Sequence, residues 1–248
     1  MSQGTPFWLT AFADFPAPEF DAGVEFWVGA TGHRLSERRG RFDEFASRLP
    51  ATGDEYLRVQ RLGDGPTRVH LDLHVEDPWT VAEAAEASGA RLVADSGHGY
   101  LIMASPAGQV FCLVTATFGT VPEPWGWPGG HSSRVTEVCL DVPAARYPAE
   151  VRFWKSLLGG EWTARGGDEP LVRRAPGDWA IGLLLQPAVI APEVAGHLHV
   201  STDDRSAEVG RLTSLGAQVR ATRQGWTVME APGGLSLCVL DLGDGRPS

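Results

Sequence analysis

Histidine, aspartate and cysteine recur in this chain at spacings that can build a polar site. His70, Asp72 and His74 occupy alternate positions in His70-Leu-Asp-Leu-His74. Side chains alternate between the two faces of an extended strand, so these three share a face. His197 and His199 repeat the pattern in His197-Leu-His-Val200. Such a stripe can ligate a divalent cation, pass a proton or hydrogen-bond a small ligand. A histidine simply hydrogen-bonded inside a cavity is an equal alternative at each position. Cys112 and Cys238 each stand six residues after a turn proline, Pro106 and Pro232. A thiolate favours softer ions such as zinc, although a buried cysteine is more often a small packed hydrophobe. Glu137 sits in an apolar run two residues before Cys139. A carboxylate there is costly if it faces inward without a partner or a metal, and an ordinary solvated charge if it faces outward. The small-molecule candidates are His70, Asp72, His74, Tyr100, Cys112, His197, His199, Trp226 and Cys238. Tyr100 and Trp226 are offered as aromatic faces for a planar ligand.

These residues are ordered by a repeat. Phe26-Trp27 returns as Phe153-Trp154, His70 as His197, and Gly89-Ala90 as Gly216-Ala217, each 127 residues later. Ser105-Pro-Ala-Gly-Gln-Val-Phe-Cys112 returns as Ala231-Pro-Gly-Gly-Leu-Ser-Leu-Cys238 after 126. A shift constant to one residue over this length indicates duplicated domains. The Pro/Gly/Trp-rich stretch at 118–132 reads as a linker between a domain at 5–117 and one at 133–243. Period-two and period-3.6 patterns then predict strands at 7–13, 55–62, 68–75, 91–94, 100–104 and 110–115, with helices at 21–29 and 80–88. In the second domain they predict strands at 134–140, 161–165, 171–174, 179–186, 197–201, 218–221, 226–230 and 235–241, with helices at 149–158 and 205–214. The scheme is four βαβββ units, an α+β protein. Trp27 and Trp154 read as helix core, while Trp8, Trp79 and Trp179 join Trp226 as possible wall residues.

Composition narrows the function. The chain has 248 residues, 43% hydrophobic and 21% charged, with a net charge of −10. Nucleic acid and anionic membranes call for a basic footprint, so neither is an expected partner. No apolar run approaches the roughly 20 residues of a membrane helix, and the N-terminus lacks a secretory core. Three cysteines without a CxxC pair suit reduced thiols. A cytoplasmic protein is the expectation. Nucleophile elbow, P-loop and dinucleotide glycine patterns are absent from the sequence.

The recurring Phe-Trp…Gly, His-Leu-x-(Leu/Val), Gly-Ala and Pro-x-Gly…Cys features resemble the vicinal oxygen chelate superfamily, the group of glyoxalases, bleomycin-resistance proteins and extradiol dioxygenases. The resemblance covers nearly the whole chain, twice. It implies two tandem glyoxalase/bleomycin-resistance-like domains, each with a cup-shaped mixed sheet. It also implies ligand positions for one divalent metal (zinc, iron, manganese or nickel). These are the first strand (Thr10 or Glu137), the end of the first unit (Gln60 or Gln186), the start of the second unit (His70 or His197) and the last strand. The family carries Glu at the last position, where this chain has Cys112 and Cys238. The implied function is binding of a small organic molecule in the sheet cups. The alternative is a metal-dependent lyase, isomerase or dioxygenase with an atypical ligand set. An intramolecular pseudo-dimer of the two domains follows from the same resemblance, with further oligomerisation open.

Overall fold

The computed structural model describes residues 4–40, 42–164, 171–173 (backbone alone), 179–189 and 192–242. The first repeat comprises β1 (Trp8–Pro16), α1 (Ala17–Thr31), β2 (Arg34–Leu35), β3 (Phe45–Leu49), β4 (Leu57–Leu62), β5 (Arg68–His74), α2 (Pro78–Ala87), β6 (Arg91–Asp95), β7 (Leu101–Ala104) and β8 (Val110–Val114). A two-residue β9 (Trp125–Gly126) follows within the stretch read as linker. The second repeat comprises β10 (Ser132–Pro143), α3 (Tyr147–Leu158), β11 (Trp162–Ala164), β12 (Leu171–Arg173), β13 (Gly182–Ala188), β14 (Ala195–Thr202), α4 (Arg205–Ser214), β15 (Gln218–Thr222), β16 (Trp226–Glu230) and β17 (Ser236–Asp241). The βαβββ scheme thus occurs four times. Some details differ from expectation. β2 and β3 arise in a charged stretch without alternation, and β10 starts at Ser132, inside the expected linker.

The two mixed sheets follow one plan. The strand orders are β2-β3-β4-β1-β5-β8-β7-β6 and β11-β12-β13-β10-β14-β17-β16-β15. Even the irregularities repeat. A register shift at Leu92/Ala94 on β6 returns at Val219/Ala221 on β15. The parallel pairs also match: Asp72 faces Cys112 across β5 and β8, and His199 faces Cys238 across β14 and β17. The duplication therefore preserved which residues become neighbours.

Local chemistry sets the helix ends. Asp77 caps α2 by accepting from the Trp79 N–H, and Asp204 caps α4 by accepting from the Ala207 N–H. Both satisfy donors that the first helical turn leaves open. α1 begins earlier than the hydrophobic pattern suggests because its first turn contains Pro18, which suits that position.

By contacts the chain divides into two compact units. Unit 1 is Met1–Ala11, His70–Thr120 and Cys139–Gly196; unit 2 is Phe12–Val69, Val121–Val138 and His197–Ser248. In unit 1, Glu150 of α3 is fully buried and accepts from Ser105 Oγ (2.5 Å), the Ala107 N–H (2.7 Å) and Trp154 Nε1 (2.8 Å). Burial raises its pKa, and these three donors offset part of that shift. Phe111 packs on Phe153 and Trp154 beside it, with ring centroids 5.8 and 5.5 Å away. In unit 2, buried Glu208 of α4 accepts from Arg211, from His131 Nε2 at 2.9 Å and from Ser133 Oγ at 2.9 Å. Arg211 also donates to the Gly29 and Ala30 carbonyls, which lie in the open last turn of α1. Gly233, at φ +86, holds a turn so close that a Cβ would stand 2.8 Å from the Phe15 ring and 2.9 Å from Gly23 Cα.

Candidate functional site

The polar stripes emerge on strands that are buried on both faces. On β5, Leu71 and Leu73 point to the apolar side while His70, Asp72 and His74 occupy the other, and all five are buried. A histidine or aspartate in that setting needs hydrogen-bonding or ionic partners.

In unit 1 the donor atoms of His70, Asp72 and Cys112 lie within 4.8 Å of one another. His70 Nε2 is 3.8 Å from Asp72 Oδ1. The next stripe residue, His74, is engaged elsewhere. Its Nε2 accepts from Thr10 Oγ1 at 3.0 Å and its Nδ1 donates to the Ala116 carbonyl at 2.7 Å. Phe7 and Phe118 flank the ring at 6.4 and 5.0 Å. His74 is thus a packed core histidine with both nitrogens satisfied, and Thr10 serves it.

The unit 2 cluster is tighter. His197 Nε2 and His199 Nε2 are 3.1 Å apart. His199 Nδ1 lies 3.1 Å from Glu137 Oε2. With Nδ1–H donating to that carboxylate, the Nε2 lone pair of His199 is turned toward His197 and Cys238. Glu137 faces inward, then, and hydrogen-bonds His199. Burial alone would raise the Cys238 thiol. Hydrogen bonds and charge from His197 and His199 outweigh it, and the pKa falls to about 6. A thiol of that kind is largely thiolate at neutral pH. The two imidazoles hydrogen-bond the Cys238 thiol, and the Glu137 carboxylate stands behind His199.

The remaining candidates fall in several places. Trp226 pairs with Leu240 and stands two residues from Val228, which pairs with Cys238, so it shares the face of the histidine cluster. It is 44% exposed, and its counterpart Tyr100 is 36% exposed. Trp79 is exposed too, whereas Trp8 and Trp179 are buried. Trp8 lies against Phe118, with centroids 6.1 Å apart. The Gln186 amide donates to Asp141 Oδ1. Asp141 was not singled out in the sequence, although its even spacing from Glu137 on β10 was the available signal. Gln60 is half-buried on β4.

The copies have diverged at matched points. His70 and Cys112 correspond to His197 and Cys238, but Asp72 has become His199, Thr10 has become Glu137 and His74 has become Ser201. Ser201 Oγ hydrogen-bonds Thr136 Oγ1 at 2.7 Å.

Comparison with known proteins agrees with this architecture. The Mn(II)-bound glyoxalase from Novosphingobium aromaticivorans superposes with a TM-score of 0.64 at 18% identity, covering 97% of this chain and 83% of that one. The 2,2',3-trihydroxybiphenyl 1,2-dioxygenase from Sphingomonas wittichii strain RW1 gives 0.63 at 17% identity, covering 97% and 91%. The 2,3-dioxygenase LapB from Pseudomonas sp. KL28 gives 0.62 at 13% identity, covering 100% and 98%. At these identities the likeness is one of fold, that of the vicinal oxygen chelate superfamily. A search of the curated proteins finds no match. Among the described residues, no helix is long and apolar enough to cross a membrane. The family model for the glyoxalase-like domain matches twice, over residues 10–114 and 137–240, and the chain belongs to that family.

Proposed function

We propose that the second copy holds a divalent cation of the zinc type through His197, His199 and Cys238, and that this centre receives a small organic molecule carrying two adjacent oxygens. The observation that carries the reading is the convergence of two imidazole Nε2 atoms, 3.1 Å apart, on the Cys238 thiol. Zinc–nitrogen bonds of about 2.0–2.1 Å place two tetrahedral ligands roughly 3.3 Å apart, so the imidazoles need almost no movement. Nitrogen and sulfur donors suit zinc better than manganese, the metal of the Novosphingobium glyoxalase. Glu137 supplies the carboxylate–histidine pairing that fixes a ligand tautomer and raises its basicity. A thiolate formed near neutral pH makes ion uptake possible without a large proton cost.

A divalent cation bound there would polarise ligand oxygens as a Lewis acid. The chain's own residues bind and orient. Trp226 offers an exposed aromatic face beside the cluster for a planar molecule. Glu137, bonded to His199, positions that imidazole instead of serving as a free base. This favours metal-assisted binding over proton-transfer catalysis as the first reading. The trihydroxybiphenyl named for the Sphingomonas relative, a flat ring with neighbouring oxygens, supports a ligand of that class. His70, Asp72 and Cys112 form a harder and looser set, with one imidazole in place of two.

Elemental analysis of tag-free protein, after chelation and reloading with zinc, tests the reading. About one zinc per chain is expected, lost in His197→Ala and Cys238→Ala and kept in His70→Ala. Catechol should then quench tryptophan fluorescence in the zinc-loaded protein and not in Cys238→Ala. Wild-type protein that takes up no zinc, or that keeps its zinc in Cys238→Ala, would sink the proposal.

A further inference from the structure

A second polar site lies in unit 2, built from residues that the histidine cluster does not use. Arg48 projects from β3 and is 0% exposed, yet its Nε, Nη1 and Nη2 have no hydrogen-bond partner among the described residues. A buried guanidinium without an acceptor is costly and calls for an anion. Three neighbours surround it. Its Cζ lies 5.2 Å from the Trp27 ring centroid, and its charge acts on both His33 and Tyr56. Burial and the Arg48 charge push the His33 pKa down to about 3, so His33 adds no third cation. Tyr56 is fully buried, its hydroxyl too has no partner among the described residues, and it feels the charge of Arg134 as well.

Trp27, His33, Tyr56, Trp125 and Arg134 are among the residues lining a cavity of about 10 Å³. That is room for one water-sized body. The Trp27 Nε1, Tyr56 hydroxyl and Arg134 Nε donors around it lack partners among the described residues. A groove of about 220 Å³ adjoins this cavity and shares His33, Glu123 and Trp125 with it. Glu123 is exposed at the boundary and is the competing acidic group.

We propose that this cavity is a binding site for a halide-sized monovalent anion, held by the Tyr56, Trp27 and Arg134 donors and balancing the buried Arg48 charge. Size excludes phosphate and most carboxylates, which need several atoms of room. Charge favours an anion over water, because Arg134 lines the cavity and Arg48 lies behind its Trp27, His33 and Tyr56 wall, while Glu123, also in the lining, is exposed to solvent. The site is independent of the metal reading, and its test uses no metal.

The test is thermal unfolding of chelator-treated protein at constant ionic strength, with gluconate replaced stepwise by chloride. An ion that binds only the folded chain raises the melting temperature by about 3–5 °C at tenfold saturation. Bromide should act alike, and the anomalous signal of a bromide-soaked crystal should fall between Tyr56 and Arg134. Arg48→Met should fold and lose the chloride response. Tyr56→Phe should shift the midpoint concentration upward by about tenfold, through loss of a donor to a charged acceptor. A wild-type response no larger with chloride than with gluconate would overturn the site. So would a full response in Arg48→Met, or one that appears only in Glu123→Gln, which would make Glu123 the resident counter-ion.

Discussion

Replacing Arg48 with methionine should stabilise the protein when no halide is present. The guanidinium is fully buried, and burial lowers its pKa to about 9, with only the Tyr56 interaction opposing. Taking such a charge out of water without an acceptor costs on the order of 5 kcal/mol. Part is already offset by the Trp27 ring 5.2 Å away, at about 2 kcal/mol for a desolvated cation–π pair. Methionine fills a similar volume without charge, so the net gain is about 3 kcal/mol, within the range seen when buried ionic groups become apolar. The sign can be checked against pH. The folded pKa lies below the unfolded one, so the wild-type penalty is complete below about pH 9 and declines as pH rises above it. The advantage of the variant should therefore be flat from pH 6 to 8 and narrow in alkali. Urea unfolding followed by circular dichroism in a chloride-free zwitterionic buffer measures it, and adding chloride should shrink the gap by stabilising the wild type alone. A variant less stable than wild type by 1 kcal/mol or more in that buffer would refute the reasoning, because it would mean that Arg48 has a favourable counter-charge in the folded chain.

Other outcomes follow from the same geometry. Glu137→Gln should weaken zinc binding by about 10- to 100-fold, read by competition with a chromogenic chelator, because the carboxylate that orients His199 is lost while the three donors remain. Glu150→Ala should cost about 3 kcal/mol or more in urea unfolding, since Ser105, the Ala107 N–H and Trp154 all lose their acceptor. Because burial raises the Glu150 pKa above 4.5, wild-type stability should fall as pH rises through and above that value, and the alanine variant should lack this slope. Gly233→Ala should lower the melting temperature by several degrees, since it combines φ +86 with contacts of 2.8–2.9 Å to Phe15 and Gly23. Gly65→Ala, at φ +101 but with open space around it, should lower it less.

How much was legible depends on the kind of signal. The repeat carried the fold because a constant shift is a global property, and tertiary context cannot easily disguise it. β14 and α4 were readable from alternation and helical spacing, ending at Gly216. β3 was not. Phe45–Leu49 is held by its pairing with β4, Ala46 opposite Val59 and Ser47 opposite Arg58, and nothing in the charged stretch before it anticipates that partner. Missing β3 meant missing Arg48, and with it the donor-lined cavity. Tyr56 lies within a predicted strand, one residue ahead of the observed β4, but no periodicity distinguishes a buried tyrosine with an open hydroxyl from one that is satisfied. His74 shows the converse. Its spacing placed it with His70 and Asp72, and only the fold reveals that Thr10 and the Ala116 carbonyl take both of its nitrogens.

The two copies also explain why the site residues were more readable than their roles. Both kept a histidine and a cysteine in register, and what differs is the residue between them in space. Asp72 offers a hard oxygen 3.8 Å from His70, while His199 offers a second imidazole 3.1 Å from His197. That exchange alters the ion that each site prefers more than it alters whether a site forms. Thr10 and Glu137 diverged in step with it. The threonine serves His74, whereas the carboxylate orients His199. A carboxylate at position 10 would face a histidine that already donates to a carbonyl, so Glu137 has a use only where the second imidazole exists. The paired change predicts that Asp72→His alone should not transfer zinc affinity to the first copy, and that Thr10→Glu would be needed with it. Zinc titration of the single and double variants in a Cys238→Ala background separates these cases. Strong uptake by the single variant would show that the second carboxylate is dispensable, and the orienting role of Glu137 would fall with it.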